Sequence, residues 1–364
     1  MELFETGESD SHRMLGDSGL CCSSIGWSAP ELKLCGEARF SIDPDAAPDP
    51  PADVLTLPAI AGIQEAVELG VTVFDVGCVV RHRTAVGERL AWLNQSVDLA
   101  AGARNCGAPE NLRPRIVLVR FSLRRCAPSA VTLNYWQQAE SQQVIVAQLN
   151  RQLEAAVSTI KESLTHPAAV RCVWVWEDWD LPPEANRQQR SARDQLFQVL
   201  RASIDQQGWL QGVAGMHWQS LAELAGSPKI SVLQLHAGFG VLGPSREDSL
   251  VPICRVRGLG LLGTLPGYSG LLRSPLQLPP SHPATAPERK AAETARILAE
   301  EFGFDLETLS WSIALQSSVD CLLLPLHDQQ ARERLNAAMA VQINARSEAM
   351  VLKHLQGISR DAWV

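Results

Sequence analysis

From about residue 57 onward, short apolar runs alternate with amphipathic stretches of helical period, and no other feature of the chain constrains its fold as tightly. The runs at 71–77, Ile116–Phe121, Val170–Trp176, Gly212–Met216, Ile230–His236, Ile253–Leu262 and Val319–Leu324 have the length and composition of buried strands. Helical spacing marks Leu57–Leu69, Ala85–Ala101, Ala139–Leu164, Arg190–Gln206, Ser220–Ala225, Glu288–Phe302, Leu306–Gln316 and a last helix opening at Asp328. Gly303 stands where a helix C-terminus favours glycine. Strands with no polar face need helices over them, which predicts a parallel sheet in an α/β protein. The elements follow one another without a second domain, so the expected architecture is a closed (β/α)8 TIM barrel. An open doubly wound sheet is disfavoured, because no GxGxxG follows a strand and opens a helix. Gly258, Gly260 and Gly263 have that spacing, but Thr264-Leu265-Pro266-Gly267 follows.

The chain has 46% hydrophobic and 20% charged residues, enough to build a full core. A net charge of −8, a pI near 5.6 and the lack of any Lys/Arg-dense segment argue against a nucleic-acid partner. Nine cysteines are scattered without a CxxC pair. Several, such as Cys172 and Cys321, sit inside strand-like runs, as buried free thiols of a reducing compartment do. No apolar run reaches the ~18 residues of a membrane span. The acidic start Met1–Glu8 lacks the parts of a signal or transit peptide. These features lead us to expect a soluble intracellular protein of the cytoplasm or an organelle matrix.

Residues 1–11 are expected to be disordered, residues 12–342 to form the barrel, and residues 343–364 to be a C-terminal extension. The segment Arg13–Gly26 alternates about a glycine turn as a β-hairpin does. Residues 43–53 and 275–287 are proline-rich loops. A loop at 98–114 and the tail from Asn344 are candidate docking elements for a protein partner.

Several residues at predicted strand ends carry chemistry. Asp75, His217 and His236, joined by Cys78 and Glu177, are expected at the C-terminal rim, where barrels of this kind hold their sites. No HxH or HExxH spacing supports a metal, and no GxSxG elbow supports a serine triad. Five tryptophans (Trp174, Trp176, Trp179, Trp209 and Trp218) gather at the predicted third and fourth strands. Trp174 and Trp176 share a strand face, either as core packing or as a ligand-stacking surface.

Gly70-Val71-Thr72-Val73-Phe74-Asp75-Val76-Gly77 resembles the first barrel strand of the aldo-keto reductases, and further pieces follow in the family's order. Arg13-Met14-Leu15-Gly16-Asp17-Ser18-Gly19-Leu20 is similar to the N-terminal hairpin signature of one branch, which plugs the bottom of the barrel. Gly208–Val213, Val232-Leu233-Gln234, Gly258–Tyr268, Glu300–Phe304 with Leu309-Ser310-Trp311, and Leu324-Pro325-Leu326 through Asn336 resemble later family motifs. The resemblance spans about residues 12–340 and implies an aldo-keto reductase type barrel with an N-terminal β-hairpin.

The resemblance also implies a site, and most of that site is altered. The family reduces carbonyls with hydride from NADPH. A Tyr donates the proton, a Lys held by an Asp lowers the Tyr pKa, and a His orients the carbonyl. Here the Asp is Asp75, the Tyr position is Val80, the Lys position is Arg120 and the His position is Trp176. Of the cofactor contacts, Gln234 and Asn336 match. The Ser-Asn pair is Ala214-Gly215, the stacking aromatic is Ala237, and the glycine of the phosphate loop is Leu326, with no Lys or Arg until Arg332. The expectation is therefore a catalytically degenerate pseudoenzyme with no cofactor, acting as a structural or regulatory subunit of a larger assembly with a protein partner. The alternative is a divergent oxidoreductase that binds NADP(H), built on Asp75, Arg120 and an acid such as His217.

Overall fold

The computed structural model describes residues 12–29, 61–80, 83–104, 114–122, 139–164, 170–177, 179, 186–215, 218–227, 229–236, 239–241, 250–264, 271–273, 284–326, 329–341 and 345–355. Eight parallel strands close into a barrel: β3 (Ile25–Ser28), β4 (Val73–Cys78), β5 (Arg115–Ser122), β6 (Val170–Glu177), β7 (Leu210–Gly215), β8 (Ile230–His236), β9 (Gly260–Thr264) and β10 (Cys321–Leu324). They pair in sequence order, and β10 closes onto β3. The predicted α/β barrel is thus the observed one. Asp75 lies on the second barrel strand rather than the first, because the short β3 precedes it.

Ahead of the barrel, β1 (His12–Met14) and β2 (Cys21–Ser23) form an antiparallel hairpin. Leu15, Leu20 and Cys22 of the hairpin pack with Val73, Ile116, Val173, Val232 and Leu262 from the lower lumen. The Asp17 amide donates to Gly258 O at 2.7 Å, and the Arg13 guanidinium donates to Val319 O. The hairpin therefore covers the lower end of the packed lumen.

Helices cover the outer face: α1 (residues 61–68), α2 (Arg83–Arg104), α3 (Ala139–Ser163), α4 (Arg187–Asp205), α5 (Trp218–Leu224), α6 (Leu250–Arg257), α7 (Ala286–Glu301), α8 (Leu306–Leu315), α9 (Gln329–Ala340) and α10 (Ala345–Leu355). Local chemistry sets α7 with particular clarity. Thr285 and Glu288 form a reciprocal capping box at its start. Gly303, at φ 82°, ends it, with its own amide bonded to Glu300 O and the Phe304 amide to Ala299 O. Among the described residues no helix is long and apolar enough to cross a membrane.

Three expectations differ from the structure. Ile253–Leu262 is not one strand: Leu250–Arg257 is helical, Gly258 turns at φ 64°, and only Gly260–Thr264 joins the sheet. The expected loop at 98–114 is helical through Arg104, and 105–113 lies outside the described residues. The tail from Asn344 is helical over Ala345–Leu355, and its Val351 and Leu355 are buried with Ala292, Ala295 and Ala299 of α7. The proline-rich stretch 43–53 and residues 1–11 lie outside the described residues.

The hairpin plug yields a test. A Cβ on Gly16 would stand 2.4 Å from both Gly258 O and Gly260 N, at φ 52°. Gly16→Ala is expected to cost about 2–4 kcal/mol in urea unfolding. Gly208→Ala, at φ 68° with open space around it, is expected to cost only about 1 kcal/mol.

Candidate functional site at the barrel mouth

Period-two alternation decides which side chains enter the lumen. Val73 and Asp75 on β4, Leu118 and Arg120 on β5, Val173, Val175 and Glu177 on β6, and Val232, Gln234 and His236 on β8 share the inward face through the ladder pairings. The lower lumen layers are apolar. The uppermost layer is polar, combining Ser28, Asp75, Arg120, Glu177, Gln234, His236 and Thr264, all buried.

Arg120 is the centre of that layer. Its Nε donates to Asp75 Oδ1 at 3.0 Å, and its Nη1 donates to Glu177 Oε1 at 2.8 Å. Side-chain exposure is 0% for Arg120 and Asp75 and 2% for Glu177, so all three charges are out of water. A local irregularity in β4 fixes Asp75. Asp75 aligns with Leu118 and Cys78 with Arg120, so β4 carries one residue more than β5 over this interval. Gly77 takes φ 105° in the bulge, a conformation glycine tolerates, and its amide donates to Asp75 Oδ1 at 3.0 Å. Arg89 from α2 donates to Val76 O at 2.9 Å and braces the same bulge.

The rest of the layer attaches to this centre. Gln234 Nε2 donates to Asp75 Oδ2 at 3.4 Å. His236 Nδ1 lies 2.6 Å from Thr264 Oγ1, and its Nε2 is 3.7 Å from Glu177 Oε1. Burial pushes the Asp75 carboxyl above its ordinary range, although Arg120 and the Gly77 amide oppose the shift.

The structure thus brings Asp75 and Arg120 together as the sequence suggests, and adds Glu177, which the sequence named only as a possible rim residue. Trp176 stands elsewhere. It packs edge-on against Trp174, Phe121, Trp179 and Phe197 of α4, between sheet and helices. Its Nε1 donates to Gln211 Oε1 at 3.0 Å. The lumen position at the end of β6 belongs to Glu177, one residue on, and Trp176 does not fill the mouth. The tryptophan cluster lies at the fourth and fifth barrel strands, with Trp174 stacked on Trp209 at 6.1 Å. Val80 is half-buried against the sheet–helix core. His217 and Ala237 lie outside the described residues.

The two residues matched to cofactor contacts occupy different surroundings. Gln234 is fully buried in the lumen, and its Oε1 has no hydrogen-bond partner among the described residues. Asn336 is exposed on α9, one turn beyond Arg332, which is bonded to Glu65 at 2.8 Å. Ala214 and Gly215 offer no side-chain donor, and Leu326 is buried in the core at 2% exposure just ahead of α9. Among the described residues no group of three or more His, Cys, Asp and Glu is placed to hold a metal ion.

The architecture is one of known proteins. The chain is similar in structure to a thermostable aldo-keto reductase solved in complex with the inhibitor epalrestat, with a TM-score of 0.50 and 14% identity over 94% of this chain and 99% of that one. At that identity the likeness is one of fold. No protein-family model matches the chain, and no curated protein matches its sequence.

Removing one member of a buried ionic group leaves the others uncompensated. Arg120→Met, close in volume, is expected to lower stability by about 3–5 kcal/mol in chemical denaturation. Adding Glu177→Gln to that variant is expected to recover part of the loss.

Proposed function

We propose that the chain is a catalytically degenerate barrel of aldo-keto reductase ancestry, serving as a structural or regulatory subunit of a protein assembly. One observation carries the reading: Arg120, at the position of the family's lysine, is held by two buried carboxylates, Asp75 and Glu177. A cation so engaged is not available to lower the pKa of a neighbouring acid. The position of that acid is Val80, which lies half-buried against the core and carries no proton to donate. Loss of a proton donor alone removes about 10²–10⁴ in rate. The reading includes no resident NADP(H), because Leu326 is packed at the loop ahead of α9 and Ala214-Gly215 replace a polar pair.

The second reading, a divergent NADP(H)-dependent oxidoreductase, has one point in its favour: Gln234 presents an open Oε1 in the lumen, as a carboxamide partner requires.

Titration of the full chain with NADPH, followed by tryptophan fluorescence, separates the two. The expected outcome is no saturable quenching up to about millimolar NADPH, together with no oxidation of NADPH in the presence of aldehydes. Micromolar binding would overturn the cofactor-free reading, and turnover would overturn the degenerate one. Val80→Tyr is expected to restore no activity, since Arg120 stays engaged.

A further inference from the structure

A cavity of about 330 Å³ opens at the lower end of the barrel, opposite the end where barrels of this kind hold their catalytic sites. The first strand of the hairpin, the last turn of α6 and the turn between α8 and β10 wall it. Its floor is apolar, built from Val251, Cys254, Leu259 and Leu261. Its rim carries Arg13, Arg255 and Asp320 with the polar groups of Gln316, Ser317 and Ser318. An apolar floor under a few polar groups is the makeup of a small-molecule site, and the volume lies in the range of such sites.

The charged groups of the rim are unequally engaged. The Asp320 carboxylate is held by the backbone: its Oδ2 accepts from the Leu261 amide at 2.8 Å, and the Gly16 amide also bonds it. Burial pushes this carboxyl up, and the two amides, Arg13 and Arg255 oppose the shift. Arg13 donates to Val319 O. Arg255 is exposed and forms no hydrogen bond or ion pair with a described residue. Two further charges stand close by without lining the cavity: Asp17 lies against Gly258, and Arg257 against Gly226. The carbonyls at the two helix ends are capped, Cys254 O by the Leu259 amide at 2.9 Å and Ala314 O by Ser317 Oγ at 2.6 Å. Gln316 Nε2 is given to Ser312 Oγ at 3.2 Å. Arg255 is thus the open donor of the rim, directly above hydrocarbon.

We propose that this cavity binds a small amphipathic monoanion, a carboxylate on a short hydrocarbon chain. The carboxylate meets the Arg255 guanidinium, whose planar fork matches it with two parallel N–H donors, and the chain lies on Leu259 and Leu261. With two guanidiniums and one carboxylate lining it, the cavity carries one positive charge, which the ligand neutralises. An ammonium in place of the carboxylate would meet that charge with its own. The site is separate from the barrel mouth and stands whether or not the mouth is degenerate.

Titration of the full chain with sodium hexanoate at low salt, followed by ligand-observed NMR, tests the proposal, with hexanol as the uncharged match. Hexanoate is expected to bind with a Kd of roughly a millimolar, as suits so small a ligand. Hexanol is expected to bind at least about tenfold more weakly. Arg255→Gln is expected to weaken hexanoate about tenfold, and Ser318→Glu, which sets a like charge on the rim, to abolish its binding. Both positions are exposed, so neither variant removes core packing. No saturable binding of hexanoate up to about 50 mM overturns the site. So does an Arg255→Gln protein with wild-type affinity, or hexanol binding as tightly as hexanoate. The acidic residues Glu2, Glu5, Glu8 and Asp10 precede Arg13 in the chain. Binding that appears only once these are replaced by Gln or Asn would assign the cavity to the chain's own N-terminal segment and overturn the proposal as well.

Discussion

The upper half of this barrel is organised around one guanidinium that serves two carboxylates where water is excluded. Arg120 touches β4 through Asp75 and β6 through Glu177, so one side chain ties three adjacent strands at the level where the ladder ends. Arginine can do this and lysine cannot to the same degree, because a planar fork presents donors in two directions at once. The bulge at Gly77 and the brace from Arg89 read as supports for it, since both fix where the Asp75 carboxylate points. Gln234 and His236 extend the network to β8 across β7, which contributes only Ala214 and Gly215.

Such a network is poor evidence for stability as such. Taking three charges from water costs more than a well-packed apolar layer does, and replacing a buried ionic group by hydrophobic residues is often neutral or favourable. The lower lumen of the same barrel is apolar throughout and packs against the hairpin without any such device. An ionic layer confined to the C-terminal end is therefore the remnant of a former site only under the proposal of a degenerate barrel. Its groups engage one another, Arg120 with Asp75 and Glu177, and His236 with Thr264.

The sequence made the barrel legible because apolar strands and amphipathic helices alternate over almost the whole chain, and that pattern survives any loss of function. It made Asp75 legible as an acid near the end of an apolar strand, and Arg120 through the resemblance, at the position of the family's lysine. Other features were hidden for specific reasons. Ile25–Ser28 is too short to separate from the hairpin before it, which shifted the strand count by one. Ile253–Leu262 alternates apolar residues as a strand does, while Arg255 and Arg257 in the last turn and Gly258 after it are the local signals of a helix stop. In α10 the apolar residues Val351 and Leu355 lie one helical turn apart, a period that marks a packed helix rather than a free tail.

The misplacement of Trp176 has the most instructive cause. A strand's two faces alternate with period two, so an error of one residue exchanges lumen for helix layer. A motif aligned at low similarity can slip by one, and the large aromatic at 176 drew attention to the wrong face. Physical parity could have corrected it. Arg120 is a charge and must face the lumen partner Asp75; β5 and β6 are parallel neighbours in register, Arg120 beside Val175 and Ser122 beside Glu177. The inward set on β6 is then Val173, Val175 and Glu177, and Trp174 with Trp176 must lie outside. Strand pairing alone places Glu177, rather than an aromatic, at the mouth beside Arg120.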